Sequence, residues 1–381
     1  MKRILSLLLS VLLTFALALP YAVADELGDL TGKLVIVHTN DVHGRGVVDT
    51  SEPSFGYARL SEYVRQLKAA GAKVLLLDAG DATQGLPLVN LSDGKNAIDF
   101  MNAVGYDAMA IGNHEFDYGA DVLAQLQAQA SFPLLAANIT REAGGDRPFA
   151  ASTMFDLGDG LKVGVFGLST PETKVKSNPK YSAGLDFATG EALYACAQAQ
   201  VDELKAAGCT LIVCLGHLGV DDSSAPDRSL DVIDHTTGID LFIDGHSHTE
   251  IIQQQRDTWL VSTGCYGHNI GRVVVENGAV TEAKLVPAFE QDADVAALVN
   301  GINKELQKQL SVVFAHTDVT LNGERADVRT KETNLGDFVC DAILWGAEQA
   351  TGEKADIAIT NGGNIRASIA AGDISQNDLK T

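Results

Sequence analysis

The stretch Val74-Leu75-Leu76-Leu77-Asp78-Ala79-Gly80-Asp81-Ala82-Thr83-Gln84-Gly85 decides the reading of this chain. Four apolar residues between a helix-like segment and a Gly-containing turn read as a buried strand. Asp81 then falls just past the strand's C-terminal end, where open α/β sheets place their ligands. Four other runs end the same way. Lys33–Val37 leads to Asn40-Asp41-Val42-His43, and Tyr106–Ile111 leads to Gly112-Asn113-His114-Glu115-Phe116-Asp117. Leu211–Leu215 leads to Gly216-His217, and Leu241–Asp244 leads to Gly245-His246-Ser247-His248. Five strand ends therefore deliver Asp, Asn and His side chains to one edge.

Around these runs lie helix-like segments. Leu60, Val64 and Leu67 share one face of a segment from Arg59 to Gly71, and similar patterns cover 95–104, 120–130 and 191–207. Further strand-like runs are Phe132–Ala137, Leu161–Leu168, Trp259–Gly264 and Gly271–Val275. Strands alternating with helices predict an α/β domain. From Asp292 to Leu310 one long amphipathic pattern predicts a connector helix. The 381 residues suggest two domains. The expected division is a catalytic domain over 25–290, a connector over 291–312 and a second domain over 313–381. Fewer than about 80 residues is little for a second core, so the second domain is expected to be incomplete.

Composition excludes some partners. The formal charge of −22 argues against a nucleic-acid polymer or an anionic membrane surface. A small anionic substrate remains compatible, because bound cations dominate their local field. Lys2 and Arg3, an apolar run to Leu19 and Ala22-Val23-Ala24 have the form of a signal peptide over 1–24, which predicts export. No later run is long enough to span a membrane. The five cysteines form no CxxC pair, so a thiolate metal site is not expected; Cys209 and Cys214 read as small buried hydrophobes.

The ligand chemistry is specific. Asp41 and His43 are two residues apart, as are His246 and His248, and that spacing puts side chains on one side of an extended segment. Carboxylate plus imidazole suits Zn, Mn, Fe or Co. Two divalent cations are expected, bridged by Asp81. One would take Asp41, His43, Asp81 and His248; the other would take Asp81, Asn113, His217 and His246. Such a pair can generate a nucleophile from water and stabilise in-line displacement at phosphorus. His114, with Asp117 three residues on, is the candidate either to donate a proton to the leaving oxygen or to neutralise charge on it. Asp78 reads as a capping group or a support behind the ligands, His38, inside a strand run, as packing or such a support, and His235 and His268 as loop residues.

In order, these motifs resemble those of the calcineurin-like metallophosphoesterases. Gly112–Gly119, Thr333-Asn334-Leu335-Gly336 and Asn361–Ser368 make the chain similar to the 5′-nucleotidase and UDP-sugar hydrolase branch. The resemblance implies a four-layer αββα sandwich, then a connector helix and a C-terminal α/β domain, with substrate held between domains. It implies that Arg329 and Arg366 meet the phosphate end of the substrate and that Asn361 contacts it too. It implies hydrolysis of nucleoside 5′-monophosphates, with nucleotide sugars as further substrates. The rivals are a 2′,3′-cyclic phosphodiesterase/3′-nucleotidase, a thiosulfohydrolase, and a non-catalytic exported binding protein. Asn364 stands where the family usually has Gly; Asn tolerates the left-handed region, so the turn is expected to survive. The family's base-stacking aromatic pair would lie beyond Thr381.

Overall fold

The structure is a computed structural model, and it describes residues 27–48, 54–287 and 290–380. The expected signal peptide lies outside the described residues. The strands in chain order are β1 (Leu34–Thr39), β2 (Lys73–Asp78), β3 (Ala108–Ala110), β4 (Leu134–Leu135), β5 (Ile139–Arg141) and β6 (Ser152–Asp156). Then come β7 (Lys162–Ser169), β8 (Leu185–Phe187), β9 (Leu211–His217), β10 (Leu241–Asp244), β11 (Glu250–Gln255) and β12 (Thr258–Thr263). The last are β13 (Ile270–Glu276), β14 (Ala279–Val286), β15 (Val313–Thr317) and β16 (Gly372–Ser375).

Two six-stranded sheets organise the larger unit, in the orders β14-β13-β1-β2-β3-β4 and β11-β12-β10-β9-β7-β6. Each has a parallel centre, β1 to β4 in the first and β12, β10, β9 and β7 in the second. Antiparallel strands extend both. Parallel strands must be buried on both faces, which is why their sequences run apolar without alternation. Leu34, Leu75 and Ala110 of one sheet pack with Val163, Val213, Ile243 and Val261 of the other in one buried cluster. A second cluster joins Phe166, Ile212 and Phe242 to Leu193, Ala197 and Val201 of the helix Glu191–Ala206. The helices Gly56–Ala69, Lys95–Val104 and Ala120–Gln129 serve the first sheet, burying Leu60, Ile98 and Leu123. The layers are therefore the expected αββα.

Some boundaries differ from the sequence reading. β1 runs on to Thr39 rather than stopping at Val37, and His38 is buried inside the strand as expected. The run Phe132–Ala137 forms only two residues of strand, because Ala136 turns its N–H to Ala150 while Leu135 holds β3's neighbour Ile111. His235 is not in a loop: it ends the helix Ser229–His235 and stacks on Tyr194, with ring centroids 4.2 Å apart. β6, β11 and β14 escaped the reading because none of their residues is buried and none carries a continuous apolar run.

The chain divides into two compact units at Asn300/Gly301, inside the helix Ala293–Leu310. The smaller unit has its own buried cluster of Leu335, Ile365, Ile369 and Ile374. Its helix Asn334–Thr351 begins at Thr333, whose hydroxyl accepts the Gly336 N–H at 3.1 Å. The short turn Gly362–Asn364 is formed, and Asn364 closes it without entering the left-handed region. No described helix is long and apolar enough to cross a membrane.

Candidate metal centre and proton donor

The loops after β1, β2, β3, β9 and β10 converge on Asp81. Its Oδ2 lies 3.0 Å from His217 Nε2 and 3.9 Å from His43 Nε2. Its Oδ1 accepts the main-chain N–H of His114 at 2.9 Å. Ligand atoms of Asp41, His43 and His248 lie within 4.8 Å of one another, and so do those of Asp81, His217 and His246. These are the two expected sets, without Asp81 in the first and Asn113 in the second. Asn113 follows β3, and its buried Oδ1 has no hydrogen-bond partner.

Five of these residues have backbones in the left-handed region: Asp41, His43, Asp81, His246 and His248, with φ between 48° and 82°. Each such non-glycine conformation costs about 1–3 kcal/mol and persists where surrounding contacts over-determine it. Those contacts are visible. Asp41 donates its N–H to Gly80 O at 2.9 Å, and the Asp41 carboxylate accepts the His246 N–H at 3.0 Å. Glycines let the loops approach. A Cβ on Gly112 would collide with Asp81 Oδ1, and one on Gly245 would lie 2.8 Å from His217 Nδ1.

Most of the imidazoles have one nitrogen committed away from the centre. His43 Nδ1 donates to Gln84 O at 3.1 Å, and His217 Nδ1 donates to Ala79 O at 2.7 Å. His246 Nε2 meets Glu172 Oε2 at 2.6 Å. That arrangement sets the tautomer and leaves the other nitrogen as an electron-pair donor. His43 Nε2 and His248 Nε2 face each other at 3.2 Å. His217 Nε2 is buried and points past the nearby carboxylate, so it makes no aligned hydrogen bond. Converging lone pairs and orphaned buried atoms fit divalent cations better than they fit one another.

Electrostatics agree. Burial disfavours charge on His217, but the Asp81 carboxylate beside it outweighs this and lifts the imidazole to about 10. Burial pushes His43 down to about 3, keeping it neutral. Burial also opposes ionisation of Asp81, yet His217, His114 and His43 hold its carboxyl well below the usual range. Without cations, the cluster answers its negative charge with protons; a dication would compete for the same places.

His114 stands at the edge of this cluster, its ring centroid 5.2 Å from that of His43. Its Nδ1 meets Asp117 Oδ2 at 2.6 Å. A carboxylate at Nδ1 fixes the tautomer that leaves Nε2 to handle a substrate proton. Of the other predicted residues, Asp78 accepts the Gly80 N–H at 2.8 Å and so caps the loop. In the smaller unit Arg329, Asn361 and Arg366 are all exposed. The Asn361 side chain accepts the Gly363 N–H at 2.8 Å, and the Arg329 guanidinium lies against that turn.

Three supporting residues were not singled out from sequence. Glu115 is buried and accepts five hydrogen bonds, from the main-chain N–H groups of Asp81, Ala82, Thr83 and Gly112 and from the Thr83 hydroxyl. Glu172 holds His246, and Ser177 donates to Asp117 Oδ1 at 2.8 Å. Both lie in the loop after β7. The strand-like run ending at Leu168 is the signal that could have pointed to them.

Comparison with known proteins agrees with this geometry. The family model for calcineurin-like phosphoesterases matches residues 34–250, and that for the 5′-nucleotidase C-terminal domain matches 313–381. A 5′-nucleotidase of Vibrio cholerae is 31% identical, over 92% of this chain and 71% of its own length. The trifunctional nucleotide phosphoesterase YfkN of Bacillus subtilis is 32% identical, over 93% of this chain and 26% of its own. Among solved structures, a 5′-nucleotidase precursor from Thermus thermophilus superposes with a TM-score of 0.74 at 30% identity, covering 91% of this chain and 73% of that one.

Proposed function

The chain belongs to the 5′-nucleotidase family of calcineurin-like phosphoesterases, and from that premise we propose that it is an exported dinuclear enzyme releasing phosphate from nucleoside 5′-monophosphates. It is a metallophosphoesterase, hence a hydrolase. The observation that carries the proposal is Asp81, which belongs to one ligand group and lies 3.9 Å from His43 of the other, with the His114–Asp117 pair joined to it through the His114 N–H.

Asp41, His43, Asp81 and His248 would hold one divalent cation, and Asp81, Asn113, His217 and His246 the other. Such cations supply Lewis acidity toward phosphoryl oxygens and toward an attacking water. The protein's residues do the rest. His114 Nε2 gives a proton to the leaving 5′ oxygen, and Asp117 holds Nδ1 protonated throughout. Arg329 and Arg366 are proposed to bind the phosphate end of the nucleotide, and Asn361 to contact it as well. Nucleotide sugars are proposed as further substrates.

The test is phosphate release from AMP by the full-length protein with Mn or Zn, with Asp81→Asn as control. Metal-stimulated release that this variant abolishes is expected; none from the wild type would overturn the reading. A second reading is cyclic phosphodiesterase and 3′-nucleotidase activity, and similarity to a protein named a trifunctional nucleotide phosphoesterase is compatible with more than one nucleotide substrate. Turnover of 2′,3′-cyclic AMP and 3′-AMP in preference to AMP would select it. Export is checked by fractionating the producing cells.

A further inference from the structure

Ser177 stands 60 residues from Asp117 in sequence and on the loop of the other sheet, yet its hydroxyl reaches Asp117 Oδ1 at 2.8 Å. The opposite oxygen of that carboxylate meets His114 Nδ1 at 2.6 Å. A carboxylate only accepts, so the Ser177 hydroxyl is the donor. We infer that Ser177, Asp117 and His114 form a three-member relay, with Ser177 as the positioning residue that aims His114 at the leaving oxygen. This rests on the proposed phosphate-releasing reaction and adds a residue to it.

The physical need is clear from the carboxylate. Rotation about its terminal torsion is soft and roughly two-fold. A single hydrogen bond to His114 would leave the plane of Asp117 free to rock, and the imidazole with it. The second bond, on the second oxygen, fixes the plane. Asp117 and His114 are about one-fifth exposed, whereas Ser177 is only 5% exposed. The relay is thus anchored inside the protein and open at its working end. Ser177 is itself fixed, since its N–H donates to Thr173 O at 3.1 Å. The loop it ends also carries Glu172, which holds His246, so one segment after β7 steadies both His246 and the Asp117–His114 pair.

Two readouts test this on the full-length protein. The first compares AMP, whose alkoxide leaving group needs a proton, with 4-nitrophenyl phosphate, whose leaving group does not. In Ser177→Ala, kcat on AMP should fall about tenfold, part of the ~10²–10⁴-fold a positioned acid provides, with KM little changed. The loss on 4-nitrophenyl phosphate should be less than about twofold, and Ser177→Thr should restore AMP turnover. Wild-type turnover of AMP tests the proposed function; the ratio between substrates tests Ser177. The second readout needs no activity: the Nδ1 proton resonance of His114 in the ¹⁵N-histidine-labelled protein, assigned by its loss in His114→Asn. It should move upfield in Ser177→Ala and return in Ser177→Thr. Equal losses on both substrates, or an unmoved resonance, would overturn the relay.

Discussion

Glu115 and Asp81 each hold the turn that carries the other. Glu115 Oε2 accepts the Asp81 N–H at 2.9 Å, and Asp81 Oδ1 accepts the N–H of His114, the residue before Glu115. The carboxylate proposed to bridge two cations is therefore locked to the segment that bears the proposed proton donor. Four of the five hydrogen bonds to Glu115 come from main-chain groups of these two turns.

Glu115→Gln should loosen this lock. The amide NH2 would face N–H donors, because both carboxylate oxygens now accept. Leaving two buried donors unmet at about 1–3 kcal/mol each predicts a loss of roughly 2–6 kcal/mol in urea unfolding of the metal-free protein. A stability equal to wild type would show that the turns hold each other without Glu115.

His114→Asn should separate proton donation from metal binding. The bond to Asp81 comes from the His114 main chain and survives the substitution. Turnover of AMP should fall by about 10²–10⁴-fold while bound metal stays the same, as read by elemental analysis. Loss of both metals in this variant would move His114 into the ligand set.

Glu172→Ala should weaken one metal and spare the other. It removes the carboxylate that fixes the His246 tautomer, and only the Asp81–His217–His246 group depends on that ring. Competition with a zinc-binding dye should show one affinity reduced by roughly 10–100-fold. Equal weakening of both sites, or of neither, would contradict the assignment of His246.

Asp78 predicts a pH dependence. Burial pushes its carboxyl up from 3.8 to about 8, against the Thr39 hydroxyl and Gly80 N–H that favour its charge. Between those values the folded state holds a proton that the unfolded chain has lost, so stability falls as pH rises through the window. In metal-free protein, Asp78→Asn should flatten that fall between about pH 5 and 8. An unchanged slope would assign the titration to another group.

Much of the site was legible because its residues follow apolar runs. Parallel strands buried on both faces leave a plain signal, and the residues after β1, β2, β3, β9 and β10 are where such sheets expose side chains. The half-exposed strands β6, β11 and β14 left no comparable signal, since packing rather than composition makes them strands.

The order of apolar runs and the Asp, Asn and His residues after them determined the α/β class and the ligand types, because burial and coordination both demand particular side chains. Tertiary structure alone decided which atoms meet. Glu172 reaches His246 across 74 residues and Ser177 reaches Asp117 across 60, and no local pattern encodes such distances. It also decided the left-handed backbones at Asp41, His43, Asp81, His246 and His248. Contacts from both sheets over-determine those conformations, and only the folded chain brings the sheets together.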